Sequence, residues 1–231
     1  YEEFRGNEDM ASKALFNVAA LYESQKNTDA AVKTYLRVVK EFPKADVAPE
    51  ALFTVGLIYE NQTEFEKAAE TFESMEQFKV AGSKEPTDED KKKVYAETQV
   101  RIADSLQNAG LIREALAQYK DAIDVYQKFV RLFPAHPETP KVDLRVGLVY
   151  EMMENAASYK KAHDHYQAWL KKPYKGSGPM VVQALTRAGA NLKKIDAAGN
   201  RAAASTLFTR SLQAFRKLGD GVRTVADYRR G

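Results

Sequence analysis

The stretch from Pro49 to Met75, PEALFTVGLIYENQTEFEKAAETFESM, sets the pattern that the rest of the chain follows. Its small and apolar residues recur at helical spacing in two separate segments, which predicts two amphipathic helices. These residues are Leu52, Val55, Gly56 and Tyr59 in the first segment and Ala68, Phe72 and Met75 in the second. The stretch therefore predicts a helical hairpin.

The turn of this hairpin is expected near Thr63. Thr63 and Glu66 have the spacing of a capping box, in which the hydroxyl accepts from a backbone N–H and the glutamate bonds back to the cap. Gly56 and Ala68 carry almost no side chain, and we expect them to face each other. The two backbones would then approach to the short end of the usual helix spacing, about 8 to 10 Å.

The same pattern occurs four more times. Gly56, for example, corresponds to Ala19, 37 residues earlier. We interpret residues 1–231 as one array, expected to be a fragment of a longer one. Its repeats are predicted at residues 10–43, 49–78, 87–134, 140–172 and 179–218, with partial helices at 1–5 and 221–231.

The third repeat is expected to have longer helices than the others. Its first helix is expected to begin at Thr87 as N-cap, and its second is predicted to run unbroken from Leu111 to Phe133. The residues assigned to the pattern are Ile102, Ala103 and Leu106 in the first helix, and Ala115, Tyr119 and Ala122 in the second.

This alternation of small and large residues resembles the tetratricopeptide repeat. The resemblance implies an all-α, right-handed superhelical solenoid of about five repeats that acts as a scaffold for protein or peptide partners. Asp143 departs from the pattern, because a large apolar residue is usual at its position. Residues Tyr35 to Phe53 are most similar to bacterial cell-envelope members, namely the outer-membrane assembly lipoprotein and the Tol-Pal coordinator. That similarity implies the bacterial periplasm or the periplasmic face of the outer membrane.

The sequence offers no convincing chemistry. It contains no cysteine, so disulfides and thiolate metal sites are excluded. His163 and His165 would project about 200° apart on a helix and could not share a metal ion. We therefore expect a protein that is not an enzyme and that has no metal site or cofactor.

A second stripe of residues on the first helices is the candidate partner site. These residues lie roughly 130° from the pattern residues at 100° per residue, and in the family this stripe lines a concave groove. Burial between adjacent first helices is the alternative. The candidate groove residues are Phe16, Ala20, Phe53, Leu57, Val100, Leu144 and Leu148, with Glu23, Glu60 and Glu151 at the polar end.

Charge is distributed unevenly along the chain. Residues 1–80 carry nine Lys/Arg against fifteen Asp/Glu, whereas residues 171–231 carry thirteen against three. The basic end suggests an alternative function, binding an anionic partner such as nucleic acid or a membrane surface, or self-association through uncapped ends. Few aromatic residues are interleaved for base stacking, so nucleic acid is the less favoured partner. A solvated surface balanced by a further repeat is the other explanation. The basic patch comprises Lys171, Lys172, Lys193, Lys194, Arg201, Arg216 and Lys217.

Overall fold

The computed structural model describes residues 7–79, 86–174 and 178–218. These residues form ten α-helices and a short 3-10 helix, Met75–Phe78, which confirms the all-α prediction. The α-helices are α1 Glu8–Ser24, α2 Thr28–Glu41, α3 Ala48–Asn61, α4 Phe65–Ser74, α5 Glu89–Ala115, α6 Tyr119–Leu132, α7 Thr139–Met152, α8 Ala156–Trp169, α9 Gly178–Ile195 and α10 Arg201–Arg216. The partial helices expected at 1–5 and 221–231 lie outside the described residues.

The chain divides into two compact units, which we call the first unit, Tyr1–Ala117, and the second unit, Gln118–Gly231. In the first unit, α1 packs on α2, α3 packs on α4, and α5 packs on α4. In the second unit, α6 packs on α7, α7 on α8, and α9 on both α8 and α10. Helical hairpins thus form both units, while a single continuous array stays a prediction.

Four turns between helices share one backbone conformation. Lys26, Thr63, Ala117 and Glu154 all have positive φ angles, between 50° and 61°. After α3, the Thr63 N–H donates to the Glu60 oxygen and the Glu64 N–H donates to the Tyr59 oxygen, both at 2.9 Å. This arrangement is a Schellman motif, in which a left-handed residue closes the end of a helix.

The capping box predicted at Thr63 is wrong. The Thr63 hydroxyl donates to the carbonyl oxygen of Gln62, and Glu64, the N-cap of α4, makes no side-chain cap bond. The reason is that Thr63 is the left-handed residue ending α3, so its hydroxyl turns back toward that helix. Glu66 instead contacts Arg113 on α5 at 3.2 Å.

The third repeat was placed seven residues too early. Its turn lies after Ala115, so the helix predicted from Leu111 to Phe133 is broken, and the N-cap of α5 is Asp88 rather than Thr87. Seven residues are almost two whole helical turns. The prediction therefore placed the pattern on the correct face of the helix but about two turns too close to its N-terminus. The residues that occupy the pattern positions are Leu106, Ala109 and Gly110, followed by Ala122, Tyr126 and Phe129.

Glycine in the first helix makes room for a ring from the second. A Cβ atom added to Gly56 would lie 2.7 Å from Cδ1 of the buried Phe72 ring, so this ring packs directly against the glycine. Gly147 faces Tyr166 in the same way, with Cζ 2.6 Å from an added Cβ. The glycine is therefore a packing requirement of these hairpins, since a side chain there would overlap the ring.

Candidate functional site

The candidate stripe of the first unit rests on the aromatic core. Phe16 meets the Tyr35 ring edge-on at 5.2 Å between centroids, and Phe53 is tilted against Phe72 at 5.8 Å. Both phenylalanines are half-buried, as are Ala20 and Leu57 one turn further along their helices. The four side chains thus combine contact with the core and partial exposure to solvent.

The stripe continues onto α5 at a residue that the sequence analysis missed. Leu111 stands 54 residues after Leu57, the same interval that separates the turns at Thr63 and Ala117. It is 43% exposed. Val100, proposed for this repeat, is 55% exposed but lies seven residues before the true equivalent of Phe53, which is Gln107. At 1.5 Å per residue, Val100 is about 10 Å from that position along the helix axis.

A glutamate lies at the end of the stripe nearest the turn on each first helix of the first unit. Glu23, Glu60 and Glu114 lie three residues before the left-handed residue of their turns. Glu23 accepts a hydrogen bond from the Tyr35 hydroxyl at 2.9 Å. Burial and that bond raise the pKa of Tyr35 above its ordinary value. With the wrong register, Gln107 took the place of Glu114, so the run of three glutamates was not seen in the sequence.

The equivalent stripe of the second unit is more enclosed. Leu144 is buried, with 3% exposure, so the expectation that it is exposed is wrong, whereas Leu148 is half-buried. Glu151 is bound by the next hairpin, since Arg187 Nη1 and Asn191 Nδ2 each lie 2.7 Å from its carboxylate oxygens. This glutamate therefore joins two helices of the same unit.

Asp143 explains the departure from the repeat pattern noted in the sequence. It is 3% exposed and accepts hydrogen bonds from Lys172 Nζ and the Tyr174 hydroxyl, both at 2.8 Å. His165 Nε2 donates to the main-chain oxygen of Asp143 at 2.6 Å. Burial alone would raise the pKa of this carboxyl, but the hydrogen bonds from His165, Lys172 and Tyr174 outweigh burial and lower it. Asp143 is thus a structural anion.

The basic patch is partly used by the fold. Lys172 is paired with Asp143, and the ammonium of Lys194 lies 4.4 Å from the centre of the Tyr159 ring. Asp196 accepts from the N–H groups of Ala198 and Gly199 and so shapes the turn between α9 and α10. All seven members are exposed to solvent: Lys171, Lys172, Lys193, Lys194, Arg201, Arg216 and Lys217.

His163 and His165 bond to different helices. His163 Nδ1 donates to the Ala188 oxygen of α9 at 2.9 Å, whereas His165 is bound to Asp143 of α7. Within the described ranges, no group of three or more His, Cys, Asp or Glu side chains could hold a metal ion. In that same part of the chain, every helix is too short or too polar to cross a membrane.

Comparison with known proteins supports the repeat assignment. The tetratricopeptide repeat family model matches residues 13–45 and 104–136. The two matches begin 91 residues apart, the interval that also separates the starts of α2 and α6. This agreement supports the corrected third repeat independently. Residues 13–45 and 104–136 thus match the tetratricopeptide repeat.

Several solved structures are similar at low identity. MamA protein shares 18% identity at a TM-score of 0.48, over 89% of this chain and 92% of that one. BtubC (BKLC) from P. vanneervenii shares 16% identity at a TM-score of 0.45, over 90% of this chain and 80% of that one. Pseudomonas aeruginosa pilF shares 16% identity at a TM-score of 0.38, over 90% of this chain and 81% of that one. We draw no functional conclusion from likenesses at this level. No curated protein matches the sequence.

Proposed function

We propose that the protein is a non-catalytic scaffold that binds a partner protein along the stripe of the first unit. The observation that carries the proposal is that apolar side chains at equivalent positions of α1, α3 and α5 are partly exposed. α3 also packs directly on α5. An apolar surface that continues from helix to helix is a common mark of a protein-binding site.

The phenylalanines of the stripe are already held in place. Because Phe16 leans on Tyr35 and Phe53 on Phe72, little side-chain freedom is left to lose on binding. Fixed aromatic side chains of this kind are typical of residues that dominate the energy of an interface. An apolar helix or extended segment of a partner would be a suitable occupant.

Selection from a phage-displayed random peptide library on the intact chain tests this proposal. Peptides enriched on the wild type should lose binding to a Phe53→Ser, Leu57→Ser double variant. A Leu36→Ser variant is the matched control, because Leu36 is an exposed leucine of α2, outside the stripe. Far-UV circular dichroism should show unchanged helix content in both variants. Peptides that bind the double variant as well as the control would refute the proposal.

An anionic partner of the basic patch is the second candidate. The observation in its favour is that neither α9 nor α10 contains an aspartate or glutamate. Cosedimentation with anionic phospholipid vesicles, compared with a Lys193→Glu, Arg201→Glu variant, tests it. Binding that this variant retains would exclude the patch.

We also propose a bacterial cell-envelope location, on the strength of the sequence similarity at Tyr35 to Phe53. Fractionation of cells that express the full-length protein tests this location, and recovery in the cytoplasmic fraction would contradict it.

A further inference from the structure

The geometry points to a basic amphipathic segment as the partner of the first unit, with an apolar face on the stripe and Lys or Arg side chains beside it. This inference rests on the proposed function and names the chemistry of the occupant. It begins with the repeated glutamates. Glu23, Glu60 and Glu114 occupy equivalent positions of α1, α3 and α5, at the end of the stripe nearest the turns.

Charged residues at the other end of the stripe already have partners within the chain. Ten positions before Glu60 lies Glu50, whose carboxylate is 3.3 Å from Arg101 of α5, and ten positions before Glu114 lies Asp104, which also interacts within the chain. The equivalent residue of α1 is Lys13, whose ammonium is neutralised by Asp9 at 2.8 Å. The apolar row is therefore bordered by glutamates at the end nearest the turns, about 5 Å from the row, since three residues separate Leu57 from Glu60 and the rise is about 1.5 Å per residue.

Two of the three glutamates, Glu23 and Glu60, are balanced by no basic side chain among the described residues. Glu23 accepts from a neutral phenol, which leaves the carboxylate uncompensated. Glu60 is half-buried and, among the described residues, forms no ion pair. By contrast, the equivalent glutamate of the second unit, Glu151, is neutralised by Arg187 at 2.7 Å. A cationic partner can supply to Glu60 what Arg187 supplies to Glu151.

The charge of the whole first unit favours the same partner. Residues 1–117 carry 22 acidic and 15 basic side chains, a net charge of −7. A field of this sign steers cationic segments toward the stripe and repels anionic ones. Docking an acidic segment would place like charges together as water is displaced, which lowers affinity. An apolar segment without charge would leave the Glu23 and Glu60 carboxylates desolvated without a cationic partner.

Two synthetic peptides test the inference. The first has 18 residues, with Leu at helical spacing on one face and Lys elsewhere, and the second replaces every Lys with Glu. Fluorescence anisotropy of labelled peptide with the intact chain should show at least about tenfold tighter binding of the Lys peptide, a difference of about 1.4 kcal/mol. The affinity should fall as salt rises, because exposed charges are screened.

Substitutions then locate the contact. Glu60→Gln should lower the affinity for the Lys peptide by about threefold, as removal of a rim charge does. Glu23→Gln should lower it as well. Glu70→Gln is the matched control, because Glu70 is an exposed glutamate of α4, outside the stripe. An equal loss with Glu70→Gln would overturn the inference.

The outcomes separate the inference from the proposed function. If both peptides bind equally and both are lost with Phe53→Ser and Leu57→Ser, the stripe is the site and the basic partner is refuted. If the Lys peptide binds these serine variants as well as the wild type, its contact lies elsewhere and the inference is also refuted; the library selection then decides the proposed function by itself.

Discussion

The first helices of the two units carry the same repeat pattern with different results at its edge. In the first unit, Phe53 and Leu57 are half-buried and Glu60 forms no ion pair among the described residues. In the second unit, Leu144 is buried and Glu151 is bound by Arg187 and Asn191 of the next hairpin. One repeat pattern can therefore either leave its stripe partly exposed or cover it with side chains of the next hairpin.

A large loss of stability is expected on substitution of Asp143, which stands where the first unit has Leu52. Asp143→Ala should destabilise the second unit by about 2 to 3 kcal/mol at neutral pH, because it removes the buried carboxylate that accepts the hydrogen bonds of Lys172 and Tyr174. Urea unfolding followed by the fluorescence of Trp169, the only tryptophan, measures this effect near the site. Loss of less than about 0.5 kcal/mol, the range of ordinary surface substitutions, would contradict the structural role.

The pH dependence distinguishes Asp143 from its apolar counterpart. The folded state lowers the pKa of Asp143, so its contribution is complete above the ordinary value of 3.8 and is lost as pH falls through the lowered pKa. The difference in the free energy of unfolding between wild type and Asp143→Asn should therefore shrink as the pH falls. Leu52→Ala should cost about 2 to 5 kcal/mol through its cavity, with no such trend. A difference in the free energy of unfolding between wild type and Asp143→Asn that grows as the pH falls would contradict the lowered pKa.

Adding a methyl group to Gly56 should destabilise the first unit by about 1 to 3 kcal/mol, since the Phe72 ring is buried and must move. Gly189→Ala in the second unit is the comparison, because there the nearest ring atom of the half-exposed Phe208 is 3.0 Å from an added Cβ and can yield. Urea unfolding followed by circular dichroism measures both. A larger loss for Gly189→Ala would contradict this ranking.

The smallest expected effect is a gain. Thr63 is β-branched and has a φ of 61°, so Thr63→Gly should stabilise the first unit by about 0.5 kcal/mol after the greater entropy of the unfolded glycine is counted. Gln62→Gly is the control, since Gln62 has a φ of −83° and gains nothing from glycine. Equal shifts in the urea midpoint for both variants would show that the backbone of Thr63 is not strained.

The helical hairpins and most of their boundaries follow from the sequence, because small and large residues alternate at helical spacing. The register of the third repeat does not follow from the sequence, since a shift of seven residues leaves the helical face unchanged. Gly110 also resembles a residue that ends a helix. The Phe-Pro pairs at Phe42 and Phe133 were the available signal. They end α2 and α6 with nearly the same cap geometry, φ −132° and −128°.

The site was less predictable than the fold. Burial of Leu144 and the binding of Glu151 by Arg187 depend on how neighbouring hairpins pack, which the spacing within one helix does not contain. The acidic end of the first-unit stripe became visible once Glu114 replaced Gln107 at its third position. Correct register, rather than residue type, was the missing information.

The affinity of the Leu/Lys peptide for Leu111→Ser and Val100→Ser variants tests the central claim most directly. Both residues are exposed on α5, but Leu111 lies in the stripe defined by Leu57, whereas Val100 lies on the helix extension. We predict that Leu111→Ser weakens binding by about tenfold, as loss of an apolar contact worth roughly 1.4 kcal/mol would do, while Val100→Ser stays within about twofold. A greater loss with Val100→Ser, or no loss with Leu111→Ser, would contradict the account.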